Sequence, residues 1–281
     1  MNPAKLVIPL LLTLAFGAAQ ASTAPSLGSA RDFAILGGST VTNTGATTIQ
    51  GDLGLWPGTS VTGSSDFVLQ GVLHISDTIA QDAQMAAAAT YSDLANRMPT
   101  VNLSGMDLGT LGPLHSGVYH FDSSAQLTGT LTLDAQNDPN AVFIFQIGSS
   151  FTSATGSAVN VLNAGSNTGI FWQVGSSAVL GTSTRFAGNI LANQSITFDT
   201  SAQILGGRAL ALNAAVTLDH NNIYSTCGAG VCDDYGSHGY SGGVSAVPEP
   251  STSFMFGFGL LALMAAGFRA RAMKTRNDSA L

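Results

Sequence analysis

The chain has 281 residues, a formal net charge of −7, and only 9% charged against 45% hydrophobic residues. Between Ser22 and Val247 it holds 14 aspartates, no glutamate, no lysine and four arginines (Arg31, Arg97, Arg185 and Arg208), a balance of about −10. That balance excludes nucleic-acid partners, which need a basic footprint, and offers nothing to an anionic lipid surface.

Aliphatic residues are too plentiful for disorder, and a folded region of about 200 residues is ample for a real core. At the start, Lys5 precedes an apolar run from Leu6 to Ala18 and the small-x-small pattern Ala19-Gln20-Ala21. This order predicts a cleaved export signal over residues 1–21, with the mature chain starting near Ser22. Residues 22–232 then read as one folded domain. Phe33-Ala34-Ile35-Leu36-Gly37-Gly38-Ser39-Thr40-Val41-Thr42 has the pattern of one coil of a β-solenoid, and Thr59-Ser60-Val61-Thr62-Gly63 that of a half-buried strand in another.

Asp77 to Met98 departs from the strand pattern. Ile79, Ala83, Ala87, Tyr91, Leu94 and Met98 recur at three- and four-residue steps, Ser76 or Asp77 can cap the start, and Pro99 ends the run. The spacing predicts one amphipathic helix over about residues 77–98, ~30 Å long at ~1.5 Å per residue. A helix of that length can lie along a solenoid and cover an apolar face.

The second half repeats. Ile170-Phe171-Trp172-Gln173-Val174-Gly175-Ser176-Ser177 echoes Phe143-Ile144-Phe145-Gln146-Ile147-Gly148-Ser149-Ser150, and Ile190-Leu191-Ala192-Asn193 and Ala209-Leu210-Ala211-Leu212-Asn213 follow at a period near 20. Short strands with Gly-rich corners at such a period mark a β-solenoid, in which stacked coils share one core. Each coil divides into three strands. The first is apolar on both faces, as in Phe143 to Ile147, and needs an outer cover. The second alternates, as in Ser195-Ile196-Thr197-Phe198, and the third includes Leu131 to Leu133 and Gln203 to Leu205. The fold class is therefore mainly β.

Cys227 and Cys232 stand close together near the end of this region. In an exported chain a disulfide is the natural reading; free thiols and a metal site are the alternatives, although His238 alone does not complete a ligand set. Residues 233–246 are rich in Gly, Ser and Tyr and read as a flexible stalk. Val247-Pro248-Glu249-Pro250 leads into an apolar stretch over about residues 253–268 and then into Arg269, Arg271, Lys274 and Arg276. The apolar stretch is short for a stable membrane crossing, and the basic cluster sets its orientation with the upstream chain outside.

This last order resembles the PEP-CTERM sorting signal of Gram-negative bacteria. The resemblance implies a transient or retained inner-membrane anchor, processing by an exosortase, and a product at the cell surface or outside the cell. Leu27-Gly28-Ser29-Ala30-Arg31-Asp32-Phe33-Ala34-Ile35-Leu36, Gly51-Asp52-Leu53-Gly54, Leu127-Thr128-Gly129-Thr130-Leu131, Phe186-Ala187-Gly188-Asn189-Ile190-Leu191-Ala192 and Gly207-Arg208-Ala209-Leu210-Ala211 form a second set of blocks. In order, from about Leu27 to Tyr224, they resemble the bacterial and fungal ice-binding protein family. That resemblance implies an irregular three-faced β-helix with one long α-helix packed alongside, and adsorption to an ice crystal surface through one flat face.

Alternation in the second strands sends Thr42, Thr62, Thr128, Thr152, Val179, Thr197 and Thr217 outward, with Thr40, Ser150 and Ser195 beside them. Stacked strands would set these side chains in columns of methyls and hydroxyls about 4.7–4.9 Å apart. Exposed strand faces also collect threonine for its strand preference alone. A matrix or biofilm protein without ice affinity, with exopolysaccharide as its partner, is the alternative function. Enzymatic readings lack support: Asp199 and Asp219 recur at equivalent positions and read as turn residues, and His74, His115, His120, His220 and His238 are scattered. No cofactor or metal is implied.

Overall fold

Short apolar strands broken by Gly, Ser and Asn corners cannot bury their surface singly, and here they do so by stacking. The computed structural model describes residues 25–165 and 167–225. The export signal, Cys227, Cys232, His238, the stalk and the sorting tail with its apolar stretch lie outside the described residues. Three all-parallel sheets of nine, seven and seven strands form the faces of a three-sided β-solenoid.

Each coil visits the first, second and third face in turn. From the lower end, the first-face strands are Val101–Asn102, Gly117–Phe121, Val142–Ile147, Gly169–Val174, Asn189–Ala192 and Ala209–Ala211. Above them, out of chain order, sit Phe33–Gly37, Asp52–Leu55 and Leu73–Ile75. The first coil of the chain is thus stacked on the last: Ile35 pairs with Ala209, Thr42 with Thr217 and Ile49 with Ile223. The repeat in the second half predicts the coils; it does not reveal this seam, because pairing partners across it are separated by most of the domain.

Alternate residues of the first face point inward, where Phe145 and Trp172 stack with ring centroids 4.0 Å apart. Phe151 and Phe186 pack on the same indole, whose Nε1 donates to Ala187 O at 3.1 Å. The outward residues of this face, Leu36, Ile144, Phe171, Leu191 and Leu210, are buried as well, under one α-helix and the Leu27 and Ala30 side chains packed beside it. Helix α1 spans Thr78–Ala95, shorter at both ends than the expected 77–98. Asp77 is its N-cap, accepting from Ala80 N at 2.8 Å. The helix presents Ala80, Ala83, Gln84, Ala87, Thr90 and Leu94 to the sheet. Ile79, expected on that side, is exposed, because small side chains are what allow a helix to approach a sheet this closely, and Met98, also expected there, is exposed beyond the helix end.

Two buried amides fasten the helix. Gln146 Nε2 donates to Leu94 O and Arg97 O, both at 2.7 Å, and so meets carbonyls left open at the helix end. Gln84 Nε2 donates to Ala211 O at 2.9 Å and to Leu212 O at 2.6 Å. Among the described residues, no helix is long and apolar enough to cross a membrane.

Because the seam joins chain-distant coils into one core, the domain is expected to unfold in a single calorimetric transition. Ile49→Ala and Ile223→Ala, each at a fully buried seam position, are expected to lower that one transition by about 2–5 kcal/mol. A separate early transition in either variant would show that the N-terminal coils fold as their own unit.

Candidate functional site

The second face is built from the alternating strands. Its order from the lower end is Ala125–Leu127, Phe151–Ser153, Ala178–Leu180, Ile196–Phe198, Val216–Asp219, Thr40–Thr44 and Ser60–Thr62. Inward residues such as Phe151, Leu180, Ile196, Phe198 and Val216 are fully or almost fully buried, which fixes the facing of every strand. Register puts Gln126, Thr152, Val179, Thr197, Thr217, Thr42 and Thr62 in one outward column, without a bulge. Six of these seven positions match the expectation.

The lowest rung does not. Thr128 lies two residues past the column, beyond the strand end, and Gln126 takes its place. Both residues serve the loop below: Thr128 N donates to Asp107 Oδ1 at 2.9 Å and Gln126 Nε2 to Asp107 Oδ2 at 3.0 Å. Leu127-Thr128-Gly129 looks like Val61-Thr62-Gly63 in sequence, yet the burial of Ala125 and Leu127 sets the frame instead. The regular column therefore runs from Thr152 to Thr62, across six strands and some ~24 Å at ~4.7–4.9 Å per strand.

A second column lies two residues before the first. It holds Ser124, Ser150, Ser177, Ser195, Ala215, Thr40 and Ser60, with the ladder carried through Ser150 O, Ser177 O, Ser195 O and Ala215 O. The hydroxyls of Ser124 and Ser150 are 3.0 Å apart, and Ser195 Oγ donates to Ser177 Oγ at 3.0 Å. The expected Thr40, Ser150 and Ser195 all belong to it. Ser124, Ser177 and Ser60 are further members, and the doublets Ser123-Ser124, Ser149-Ser150 and Ser176-Ser177 are the sequence signal for three of these rungs.

Buried polar side chains pin the far corner of the face. Ser153 Oγ and Thr184 Oγ1 are 2.8 Å apart, and Asn221 Nδ2 donates to Asp199 O and Ala202 O, each at 2.9 Å. Asp219 sits on this corner. Hydrogen bonds from the Thr200 hydroxyl and then from His220 hold its carboxyl below the usual carboxylate range. Asp199 occupies the equivalent corner one coil below, and the Asp199–Ala202 and Asp219–Asn221 stretches are tight turns. Asp107 is pushed up by partial burial, but the Thr128, Gly109 and Gln126 donors outweigh this and lower it. Asp219 and Asp107 are thus carboxylates kept charged, the opposite of what a general acid needs.

Neither the first nor the second column contains a charged side chain. His74, His120 and His220 each pair with an aspartate, at 2.8, 3.1 and 2.6 Å, in three separate places. One hollow opens at the lower end of the column, against Thr152, and another lies on the third face. The first, of about 330 Å³, touches Asp107 and Gln126, and the second, of about 250 Å³, touches Asn160 and Arg185.

A profile for the family described as Ice-binding-like matches residues 35–224, and one for the PEP-CTERM protein-sorting motif matches residues 246–272. An ice-binding protein of Nostoc sp. (strain HG1) is 46% identical over 257 residues, covering 91% of each chain. The crystal structure of an ice-binding protein from an Antarctic biological consortium superposes with a TM-score of 0.69 at 45% identity, over 78% of this chain and 96% of that one. One from the Antarctic ascomycete Antarctomyces psychrotrophicus gives 0.68 at 37% identity, over 73% and 100%.

Acid should loosen this framework. A carboxyl whose folded pKa is depressed adds stability that is present above its unfolded value and is lost as pH falls through the folded one. Asp107, Asp219, Asp77, Asp122 and Asp134 are all lowered. The thermal midpoint, followed by circular dichroism, is expected to hold from neutral pH to about 4 and to fall below it. Asp107→Asn should flatten part of that fall.

Proposed function

Since the chain belongs to the Ice-binding-like family, we propose that it adsorbs to ice through the second face of its solenoid. The observation that supports this reading is the in-register column Thr152, Val179, Thr197, Thr217, Thr42 and Thr62, flanked by the serine-rich column. Each threonine offers a methyl that water must surround and a hydroxyl that fixes the position of a bound water. Val179 keeps the methyl surface without the hydroxyl. Repetition at one strand spacing turns these into an ordered layer of water that exists before contact with the crystal. Ordered bridging waters bind nearly as well as direct contacts, and a face already rigid loses little entropy on docking. Growth of a crystal carrying such a molecule is restrained at the points of attachment. No step of bond chemistry is assigned to the protein. The Nostoc and Antarctic relatives carry the name ice-binding protein, in agreement with this reading.

The remainder of the chain serves delivery. In this proposal residues 1–21 are removed on export, residues 22–232 are the working domain, and residues 233–246 separate it from the sorting tail. The apolar stretch at about residues 253–268 anchors the chain in the inner membrane, and an exosortase acts at Val247, Pro248, Glu249 and Pro250. Cys227 and Cys232 are assigned to a disulfide that closes a short loop beside the tail.

Replacing Thr197 or Thr217 by Tyr puts a ring above the plane of the face and holds ice away from its neighbours. Recrystallisation inhibition and thermal hysteresis of the exported passenger, Ser22 to Val247, are expected to fall by about tenfold or more in either variant. Thr128→Ala, off the column, should leave both unchanged. A folded wild-type passenger inactive in both assays would sink the reading, and full activity in Thr197→Tyr would move the site to another face.

A further inference from the structure

Among the described residues, the third face holds the one exposed arginine that no carboxylate answers. Its strands run, from the lower end, Thr130–Asp134, Ala158–Leu162, Arg185–Phe186, Gln203–Leu205, Asn222–Tyr224, Thr47–Gln50 and Phe67–Gln70. Arg31 and Arg97 pair with Asp32 and Asp93, and Arg208 is buried against Asn189. Arg185 is exposed, and its guanidinium has no hydrogen-bond or ion-pair partner among the described residues.

The hollow of about 250 Å³ beside this arginine has a structural cause. On the rung below, in register with Arg185, the outward residue is only Ala158. On its own rung the strand stops after Phe186. Ala187 O accepts from Trp172 Nε1 at 3.1 Å, and Gly188 turns towards the first face at φ +104, where a Cβ would meet the Ile170 side chain at 2.6 Å. Ala187 is thereby drawn into the body and buried. The outward place between Asn160 and Leu205 is left without a long side chain. Thr130, Asn160 and Arg185 form an exposed rim, Phe186 and Ala187 a buried floor, and half-buried Leu205 one wall.

A guanidinium over an apolar floor, flanked by an amide and a hydroxyl, fits a carboxylate carried on a hydroxyl-rich body. Its fork of donors matches both carboxylate oxygens. The Asn160 amide both donates and accepts, and Ala187 and Leu205 offer surface to the C–H side of a ring. The hollow is smaller than the ~300–1,000 Å³ of sites that enclose a whole small molecule, so it takes one unit of a longer chain. Further units have partners on the same face. Gln203 and Asn222 stand in register above Arg185, and Tyr224, Gln50 and Gln70 form the next row. All are uncharged donors and acceptors, while the Ser22–Val247 balance of about −10 repels a densely anionic chain. We propose that the third face binds a mostly neutral polysaccharide that bears a uronate at intervals, with Arg185 holding that carboxylate at the hollow. The site does not rest on the reading of the second face.

The test runs the full chain, in a neutral detergent, through native gels cast with one of three polymers. Gellan carries a glucuronate among neutral sugars in each repeat, alginate carries a uronate at every unit, and dextran is neutral. Wild type is expected to be retarded by gellan, less by alginate and not by dextran. Arg185→Ala should weaken the retardation by about tenfold or more, and Arg185→Lys, which keeps the charge without the fork, should recover only part of it. Ala158→Leu keeps the arginine but fills the hollow, and should lose the retardation as well. Both positions face outward, so the thermal midpoint of each variant is expected to match wild type. Wild type that migrates alike with and without gellan would overturn the proposal, as would equal retardation of wild type and Arg185→Ala. Stronger retention by alginate, or a lysine variant equal to wild type, would show attraction by charge alone and overturn the shaped site. Dextran retention equal to that in gellan would overturn recognition of the carboxylate.

Discussion

The pairing of the first coil with the last is the constraint on which the rest of the molecule depends. A solenoid that climbed in simple chain order would need no such seam. Here Thr40–Thr44 docks on Val216–Asp219, so the N-terminal coils continue a stack that the C-terminal coils began. The chain must therefore return from the top of the stack to the bottom between residues 75 and 101, and α1 is that return. Without the seam the threonine column would break between Thr217 and Thr42, and two shorter patches would replace one long face.

The same return supplies the cover that the first face requires. A strand buried on both sides must lie between two apolar layers, and the layer outside is a helix of alanines. Small side chains bring α1 close, and two glutamine amides convert the approach into a fixed position. The first face and the helix thus form the stiff back of the body. Stiffness there matters at the front, because water is ordered by a surface only if that surface keeps its spacing.

Much of this was legible in the residues. The 20-residue period, the doubly apolar first strands and the alternating second strands predict coils, an outer cover and an exposed threonine face, and all three are present. The seam was not legible, since no local pattern marks Ile35 as the partner of Ala209. The expected Thr128 rung follows from a shared Thr-Gly after an aliphatic residue, which outweighs the burial frame that Ala125 and Leu127 impose. Aligning the strands by the serines before them, Ser124 with Ser150 and Ser177, gives the observed register. Those serines sit where the chain enters the second face, and the ladder fixes position there before any threonine is placed.

Regularity outside is compatible with irregularity inside because different forces set them. Inward positions of the second face range from Ala178 to Phe151, and neighbouring coils compensate in volume, as Phe151 does against Trp172 and Phe186. Backbone hydrogen bonds between parallel strands hold the spacing whatever fills the core. Outward positions have no neighbour to compensate them, so each must itself fit the repeat, and Val179 is the deviation that keeps the threonine outline. Charge is a different matter. An ionised group holds its own water strongly and must keep it or lose much free energy. Asp199 and Asp219 stand at the corner, where Asp219 is occupied by Thr200 and His220, and Asp107 lies at the lower edge, occupied by Gln126 and Thr128. On the proposed reading of the second face, a surface that orders water at its own spacing can carry hydroxyls and methyls, and must leave its ions at the edge.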